Sequence, residues 1–328
     1  MRIREYDEDD VRIRPGRGSR PRTRIRPRHD DAVTGFVVGV DRGRYTCAVN
    51  GITVVAMRAR ELGRRSVVVG DRVALVGDLS GRPGSLARIV RIESRTSTLR
   101  RTADDDDPTE RVIVANADQL VIVSSLADPP PRTGFIDRCL VAAYDADITP
   151  LLCLTKADLA SPDEVLAYYA DLDLDHVTCQ LGKPLVELEH RLAGRLSVLV
   201  GHSGVGKSTL VNRLVPDAQR AVGVVSAIGK GRHTSTNVVA LPLPDGGWIV
   251  DTPGVRSFGL AHVSPSSLLH GFPDLADGTV DCPPNCDHAD NTPGCGLDAW
   301  VAAGHADPRR LASFRRLLAS RSGEEPTP

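Results

Sequence analysis

Three short segments constrain this chain more than its composition does, because of the order in which they come. Thr155-Lys156-Ala157-Asp158 stands first, Gly201-His202-Ser203-Gly204-Val205-Gly206-Lys207-Ser208-Thr209 second, and Asp251-Thr252-Pro253-Gly254 third. The middle segment fits G-x-x-x-x-G-K-[ST], a loop whose backbone amides wrap a phosphate chain. Its setting agrees. Residues 196–200 are a short apolar run, as a buried parallel strand requires. Residues 209–214 open a helix, with apolar side chains at 210, 211 and 214. Strand, glycine loop and helix predict an α/β nucleotide domain with a helix N-terminus facing the phosphates. Lys207 is expected to neutralise the β- and γ-phosphates, and the Ser208 hydroxyl to ligate Mg2+.

The carboxylate of Asp158 can accept two hydrogen bonds from guanine, at the ring N–H and the exocyclic amine. Adenine offers no such donor pair. Lys156 would lay its aliphatic stem along the base. The apolar run 150–154 comes just before, so the tetrapeptide sits at the C-terminal end of a strand, where open α/β sheets bind ligands. Thr155 stands where the usual guanine-reading motif has Asn; it keeps a hydroxyl but loses the carboxamide, which should weaken contacts to the loop or the base. Residues 177–179, ahead of Gly182, resemble the short loop that backs a guanine ring.

The third segment follows the strand-like residues 247–250. Asp251 is expected to hold Mg2+ through water, and the Gly254 amide to face the γ-phosphate. Val255 comes next, where many GTPases place a water-orienting Gln, so unaided hydrolysis should be slow. Residues 229–236, Gly-Lys-Gly-Arg-His-Thr-Ser-Thr, suit a switch loop. A hydroxyl of Thr234 or Ser235 would meet Mg2+, and His233 would sit near the attacking water. By composition alone, a polar surface loop is the commoner reading of such a segment.

With the usual motif order permuted, these residues resemble the ribosome small subunit-dependent GTPase A family, the circularly permuted bacterial GTPases of late 30S assembly. Residues 112–119 (Val-Ile-Val-Ala-Asn-Ala-Asp-Gln), 155–158, 201–209, 231–236 and 251–260 carry the likeness. Ser235 departs from the family's Gly-Arg-His-Thr-Thr-Thr at the middle hydroxyl. The resemblance implies Mg2+-dependent hydrolysis of GTP to GDP and phosphate, slow alone and stimulated by the small ribosomal subunit. It also implies His233 and Lys207 as catalytic residues, the 30S subunit with its 16S rRNA as partner, a monomer, and a cytoplasmic location.

The rest of the chain fits that frame. Its 328 residues suit two or three domains. A balance of 41 basic and 42 acidic residues hides an asymmetry: residues 11–28 hold eight Arg and no acid, while 7–10 and 104–107 are acid runs. The Arg-, Pro- and Gly-rich tail cannot bury enough surface to fold alone and should be disordered. It reads almost equally as an RNA-binding arm or a solvated appendage, and the resemblance tilts the reading toward RNA. Five short β-rich runs, at 35–40, 45–49, 52–57, 72–76 and 87–92, with a hairpin turn at Asn50-Gly51, predict an OB-type β-barrel. Helices are expected at 135–144 and 162–172. No run is long and apolar enough to span a membrane, and the charged N-terminus is no secretory signal.

Seven Cys, three of them clustered with a His, suggest a reducing compartment and a metal site rather than disulfides. Cys282, Cys286, His288 and Cys295 offer four ligands for one structural Zn2+. Their spacing, C-x3-C-x-H-x6-C, differs by one shifted residue from the C-x4-C-x-H-x5-C of the family resembled. Residues 300–318 read as helical with a break near 304–308, and Arg309, Arg310, Arg315, Arg316 and Arg321 as a solvated basic face. The expected division is a tail at 1–32, an OB-fold barrel at 33–98, a circularly permuted P-loop GTPase domain at 99–262, and a zinc-binding helical domain at 263–328. Two competing functions remain at this level: a nucleotide-gated RNA-binding module with negligible turnover, and a P-loop phosphotransferase.

Overall fold

The computed structural model describes residues 29–41, 43–62, 66–101, 111–170, 172, 174–216, 238–252, 260, 263–290 and 292–321. The Arg-rich tail, both acid runs, the 229–236 segment with His233, Thr234 and Ser235, residues 253–259 with Gly254 and Val255, and the Arg321 side chain lie outside them. The compact unit that carries the sites begins at Ala32.

The five β-rich runs form strands β1 (Val33–Asp41), β2 (Arg44–Val49), β3 (Ile52–Arg58), β4 (Arg72–Gly77) and β5 (Ala87–Ile92). They pair in the order β1-β2-β3-β5-β4, and β4 returns to β1 to close the barrel. The β3–β5 pair is parallel. Alternation explains the closure: Val37, Cys47, Val54, Ala56, Leu75 and Ile89 point inward and are almost wholly buried. Asn50 and Gly51 turn the β2–β3 hairpin with φ of 47° and 80°, the paired left-handed conformation that a two-residue turn needs.

A two-stranded ribbon, β6 (Thr98–Arg101) and β7 (Arg111–Ala115), leads out of the barrel. Asn116 fastens that exit. Its side-chain oxygen accepts from the Thr96 amide at 2.8 Å and its nitrogen donates to the Gly70 carbonyl at 2.9 Å.

The nucleotide domain follows as β8 (Gln119–Ser125), α1 (Thr133–Asp145), β9 (Thr149–Thr155), α2 (Asp163–Tyr168), β10 (His176–Thr178), α3 (Val186–Leu192), β11 (Leu196–Val200), α4 (Lys207–Leu214), β12 (Val239–Pro242) and β13 (Trp248–Asp251). Helix α2 is shorter than the sequence suggests: it ends at Tyr168, and a turn then buries Tyr169 and Leu172. The strand order is β10-β9-β8-β11-β13-β12, with only β12 antiparallel to its neighbour. Every residue of β8 is buried. Its alternate side chains feed two cores, Leu120 and Ile122 on the α1 face, Val121 and Val123 on the α3–α4 face. Strand β12 also pairs with barrel strand β1, Gly39 opposite Val239, so barrel and nucleotide domain share one eleven-stranded sheet. Phe36 stacks near Trp248 across that junction, ring centres 5.0 Å apart.

Among the described residues four α-helices follow: α5 (Pro265–His270), α6 (Pro273–Ala276), α7 (Gly296–Ala302) and α8 (Pro308–Arg321). Ser264 caps α5 by accepting from the Ser267 amide, with Pro265 at the first helical position. The basic face expected on α8 is not uniformly solvated. Arg310 is only 1% exposed and lies between Asp137 of α1 (3.0 Å) and Asp274 of α6 (3.1 Å). Its guanidinium also faces the Phe272 ring and donates to the Gly271 carbonyl. Burial opposes its charge, but its hydrogen bonds to Asp274 and the attraction of Asp137 and Asp274 outweigh this and hold its pKa above the ordinary guanidinium value. Ser313 and Tyr169 donate to the two Asp137 oxygens. Removing one member of such a pair typically costs about 3–5 kcal/mol, so this lock decides where α8 sits. Arg315 is engaged as well, in a two-pronged bond to Asp298 at 2.8 and 2.9 Å.

Candidate nucleotide-binding site

The parallel strands β8, β9, β11 and β13 end on one side of the sheet, and all the described motif residues gather there. Strand order reverses between β8 and β11, the place where open α/β sheets leave a crevice for ligands. Gly201 leaves β11 so close to β8 that a Cβ there would stand 2.4 Å from the Val123 carbonyl oxygen. Only glycine fits. The loop then runs to Gly206, and Lys207 opens α4.

The Lys207 amino group reaches back over the loop and donates to the carbonyls of Gly201 and His202, the second at 3.0 Å. Partial burial pulls its pKa down, and the charge of Asp251 opposes that. Burial likewise pushes the Asp251 carboxyl up, with Lys207 opposing. Each is therefore a desolvated charge that sees the other. Ser208 and Thr209 expose their hydroxyl-bearing side chains on the first turn of α4, while Val205 packs into the core. Ser203 and Gly204 are exposed, and His202 stacks on Phe135 of α1 with ring centres 4.3 Å apart. Thr252 is fully buried and donates to the Leu199 carbonyl at 2.7 Å, fixing the strand end that presents Asp251. The Ser208 hydroxyl and the Asp251 carboxylate are hard oxygen donors, the set that suits Mg2+.

Residues 155–158 are joined to the loop at 201–209. The Thr155 hydroxyl, buried at the end of β9, donates to the Val205 carbonyl at 2.7 Å. The loss of contacts expected from replacing Asn by Thr does not extend to the loop: one short hydroxyl spans the gap. Lys156 adopts a φ of 57° and donates to the Asp128 carbonyl. Ala157 donates from its amide to the Cys179 carbonyl at 3.2 Å, and an Asp158 oxygen accepts from the Leu181 amide at 3.4 Å. The segment from 179 to 181 thus holds residues 157 and 158 in place through one carbonyl and one amide.

One part of this site was not visible in the motifs. The loop from β8 to α1 contains Asp128 and Pro129, and Pro129 faces Gly204 of the phosphate loop. Ser125 donates to the Pro129 carbonyl at 2.6 Å and pins that loop. The Pro129-Pro130-Pro131 run was the available signal of a stiff connection.

Far along the chain, Cys282, Cys286, His288 and Cys295 converge, with all four ligand atoms within 4.8 Å of one another. His288 turns Nδ1 toward the thiols, 3.5 Å from Cys282 and 3.8 Å from Cys295. Its left-handed backbone, with φ of 57°, and that of Asn285, with φ of 62°, fold the loop tightly enough for this. The Gly296 amide donates to the Cys282 sulfur at 3.2 Å, and the Arg315 side chain donates to the His288 carbonyl at 3.2 Å. Three thiols and an imidazole at this spacing could hold zinc, and the shifted spacing leaves the cluster intact.

A family model described as RsgA GTPase matches residues 92–261. The small ribosomal subunit biogenesis GTPase RsgA of Ectopseudomonas mendocina is 39% identical over 268 residues, covering 78% of this chain and 75% of that protein. The protein of the same name from Chlorobaculum parvum is 36% identical, covering 82% and 89%. Among solved structures, YjeQ from Thermotoga maritima superposes with a TM-score of 0.69 at 26% identity, covering 90% of this chain and all of that one. YloQ, described as a circularly permuted GTPase, superposes with a TM-score of 0.68 at 22% identity, covering 93% and 100%.

The Thr155–Val205 bond gives a direct prediction. Thr155→Val removes the hydroxyl and leaves a buried carbonyl without its side-chain donor, at a cost of about 1–3 kcal/mol. Urea unfolding should show that loss for Thr155→Val and much less for Thr155→Ser. Equal stability of both variants with the parent would mean the bond holds nothing together.

Proposed function

The chain belongs to the RsgA GTPase family, and from that premise we propose that it binds GTP and hydrolyses it to GDP and phosphate during late maturation of the 30S ribosomal subunit. One observation carries the site assignment: residues 155–158 and the glycine loop at 201–206 lie side by side at one sheet end, tied by the Thr155 hydroxyl. In this reading Asp158 selects guanine and Lys156 lies along it. The loop amides of 201–206 and the Lys207 ammonium take the phosphates. Lys207 is already partly desolvated, so its charge acts strongly on developing negative charge. Ser208 and Asp251 would hold Mg2+, joined by Thr234 or Ser235; when bound, the ion draws charge from the phosphoryl group being transferred. Gly254 would report the γ-phosphate.

His233 is the group we assign to orienting the attacking water, because Val255 has no polar atom for the task. A glycine-flanked loop that is completed on the ribosome predicts slow hydrolysis alone and strong stimulation by 30S subunits. The barrel at 33–98 and the C-terminal part at 263–328 flank the GTPase domain at 99–262 as modules for 16S rRNA, with the Arg-rich tail adding phosphate contacts. The protein would work as a cytoplasmic monomer with one structural Zn2+ on Cys282, Cys286, His288 and Cys295. Among the described residues no helix is long and apolar enough to cross a membrane.

Three measurements test this. Asp158→Asn should lose GTP affinity and gain xanthosine triphosphate affinity, since the xanthine ring carbonyl needs a donor; competition binding that still prefers GTP would reject the role. His233→Ala should lower single-turnover hydrolysis on saturating 30S subunits by on the order of 10²–10⁴ while GTP and 30S binding persist. Near-parental turnover would remove His233 from the mechanism, and turnover of the parent that 30S subunits do not raise would favour a nucleotide-gated binding module instead. Metal analysis should find about one zinc per chain, lost in Cys286→Ser; purified native protein without zinc would contradict the metal assignment.

A further inference from the structure

Cys153 and Cys179 lie 26 positions apart in the chain, yet their sulfurs are 3.7 Å apart. Cys153 sits on β9, two residues before Thr155, with strands on both sides. Cys179 follows β10, the edge strand, and its flanking residues Thr178 and Gln180 are exposed. The other described cysteines are differently placed: Cys47 and Cys139 are buried in separate cores, and the remaining three belong to the metal cluster.

The two thiols are unlike. The hydrogen bond between them, with burial adding, pushes the Cys153 thiol well up. The same bond, helped by Arg213 and opposed by burial, holds the Cys179 thiol below its ordinary range. Cys179 is 6% exposed on the edge segment and Cys153 is wholly buried inside the sheet, so Cys179 is the thiol an oxidant reaches first and Cys153 the one that resolves the product.

We propose that Cys153 and Cys179 are a reversible oxidation site for hydroperoxides, and that their disulfide weakens guanine nucleotide binding. The Cys179 thiolate attacks one peroxide oxygen, giving a sulfenic acid as the O–O bond breaks and the leaving oxygen departs as water after protonation. The Cys153 thiol then displaces the sulfenic hydroxyl as a second water. Two thiols and one hydrogen peroxide become one disulfide and two waters. Closing the bridge draws the sulfurs from 3.7 Å to about 2.05 Å. Cys153 is pinned by ladders to β8 and β10, so the movement falls on the edge segment 179–181. That segment supplies the carbonyl that holds the Ala157 amide and the amide that holds the Asp158 carboxylate. Displacing it misaligns the carboxylate that reads guanine.

This proposal rests on the reading of residues 155–158 as the guanine site, so the reduced full-length protein is measured first. Titration with a fluorescent GDP, before and after treatment with hydrogen peroxide, gives the affinity; peptide mapping locates the bridge. Oxidation should join Cys153 to Cys179 and weaken GDP binding by about tenfold or more, the scale of one charged hydrogen bond, with dithiothreitol restoring it. Cys153→Ala should bind GDP as the reduced parent does and, having no resolving thiol to close the bridge, should keep that affinity after peroxide even where Cys179 reaches the sulfenic acid. A bridge that leaves affinity unchanged, oxidation confined to Cys282, Cys286 and Cys295, or a Cys153→Ala variant that still loses affinity would each overturn the proposal. Reduced protein that binds no guanine nucleotide would overturn the site reading itself, a result distinct from binding that ignores peroxide.

Discussion

Strand β8 is the constraint on which the site depends. It pairs in parallel with β9 on one side and β11 on the other, placing Ser125 opposite Thr155 and Ile122 opposite Val200. Neighbouring strands lie about 4.7–4.9 Å apart, so two ladders set the turn at 155–158 and the loop at 201–206 roughly 10 Å apart across the sheet. That spacing comes from hydrogen bonds, not from chain order. A chain can therefore meet the turn at 155–158 first and the loop at 201–206 second and still build the same crevice. The Thr155 hydroxyl on the Val205 carbonyl then removes the slack between the two ends.

The second long-range determinant is a buried charge. Arg310 comes from the last helix, Asp137 from the first helix of the nucleotide domain, and Asp274 from the segment between. Both carboxylates and the guanidinium are nearly inaccessible, so none can be relaxed by water. Helix α1 also carries Phe135, which stacks on His202 of the phosphate loop. The C-terminal helices are thus fastened to the helix that backs the loop, and the cysteine cluster inherits its placement through Arg315, which touches both His288 and Asp298.

Local signals in the sequence account for much of this. The barrel strands were legible because alternation and a two-residue turn are short-range properties, and Asn50-Gly51 turned where its backbone preference demanded. The phosphate loop was legible because glycine, lysine and hydroxyl positions are fixed by the chemistry they serve. The four metal-type ligands could be grouped for the same reason, despite a spacing shifted by one residue. Arg310 was read as a surface cation because a helix rich in Arg resembles a solvated face, and its partners are 36 and 173 positions away. The Cys153–Cys179 proximity and the β1–β12 pairing were hidden likewise, since each depends on strand order. Helix α2 was read too long because Tyr169 and Leu172 continue an apolar pattern that a buried turn also satisfies.

The pairing of β1 with β12 has a consequence for how the molecule behaves in a crowd. Without it, β12 would end the nucleotide sheet as an open edge, able to accept a strand from another chain. The barrel covers that edge, and because β4 closes on β1 the barrel offers no new one. Among the described residues the large sheet is left with one free margin, β10, three residues long and flanked by exposed polar side chains. A margin that short gives an incoming strand too few partners to hold. The barrel therefore shields its neighbour from strand-by-strand aggregation.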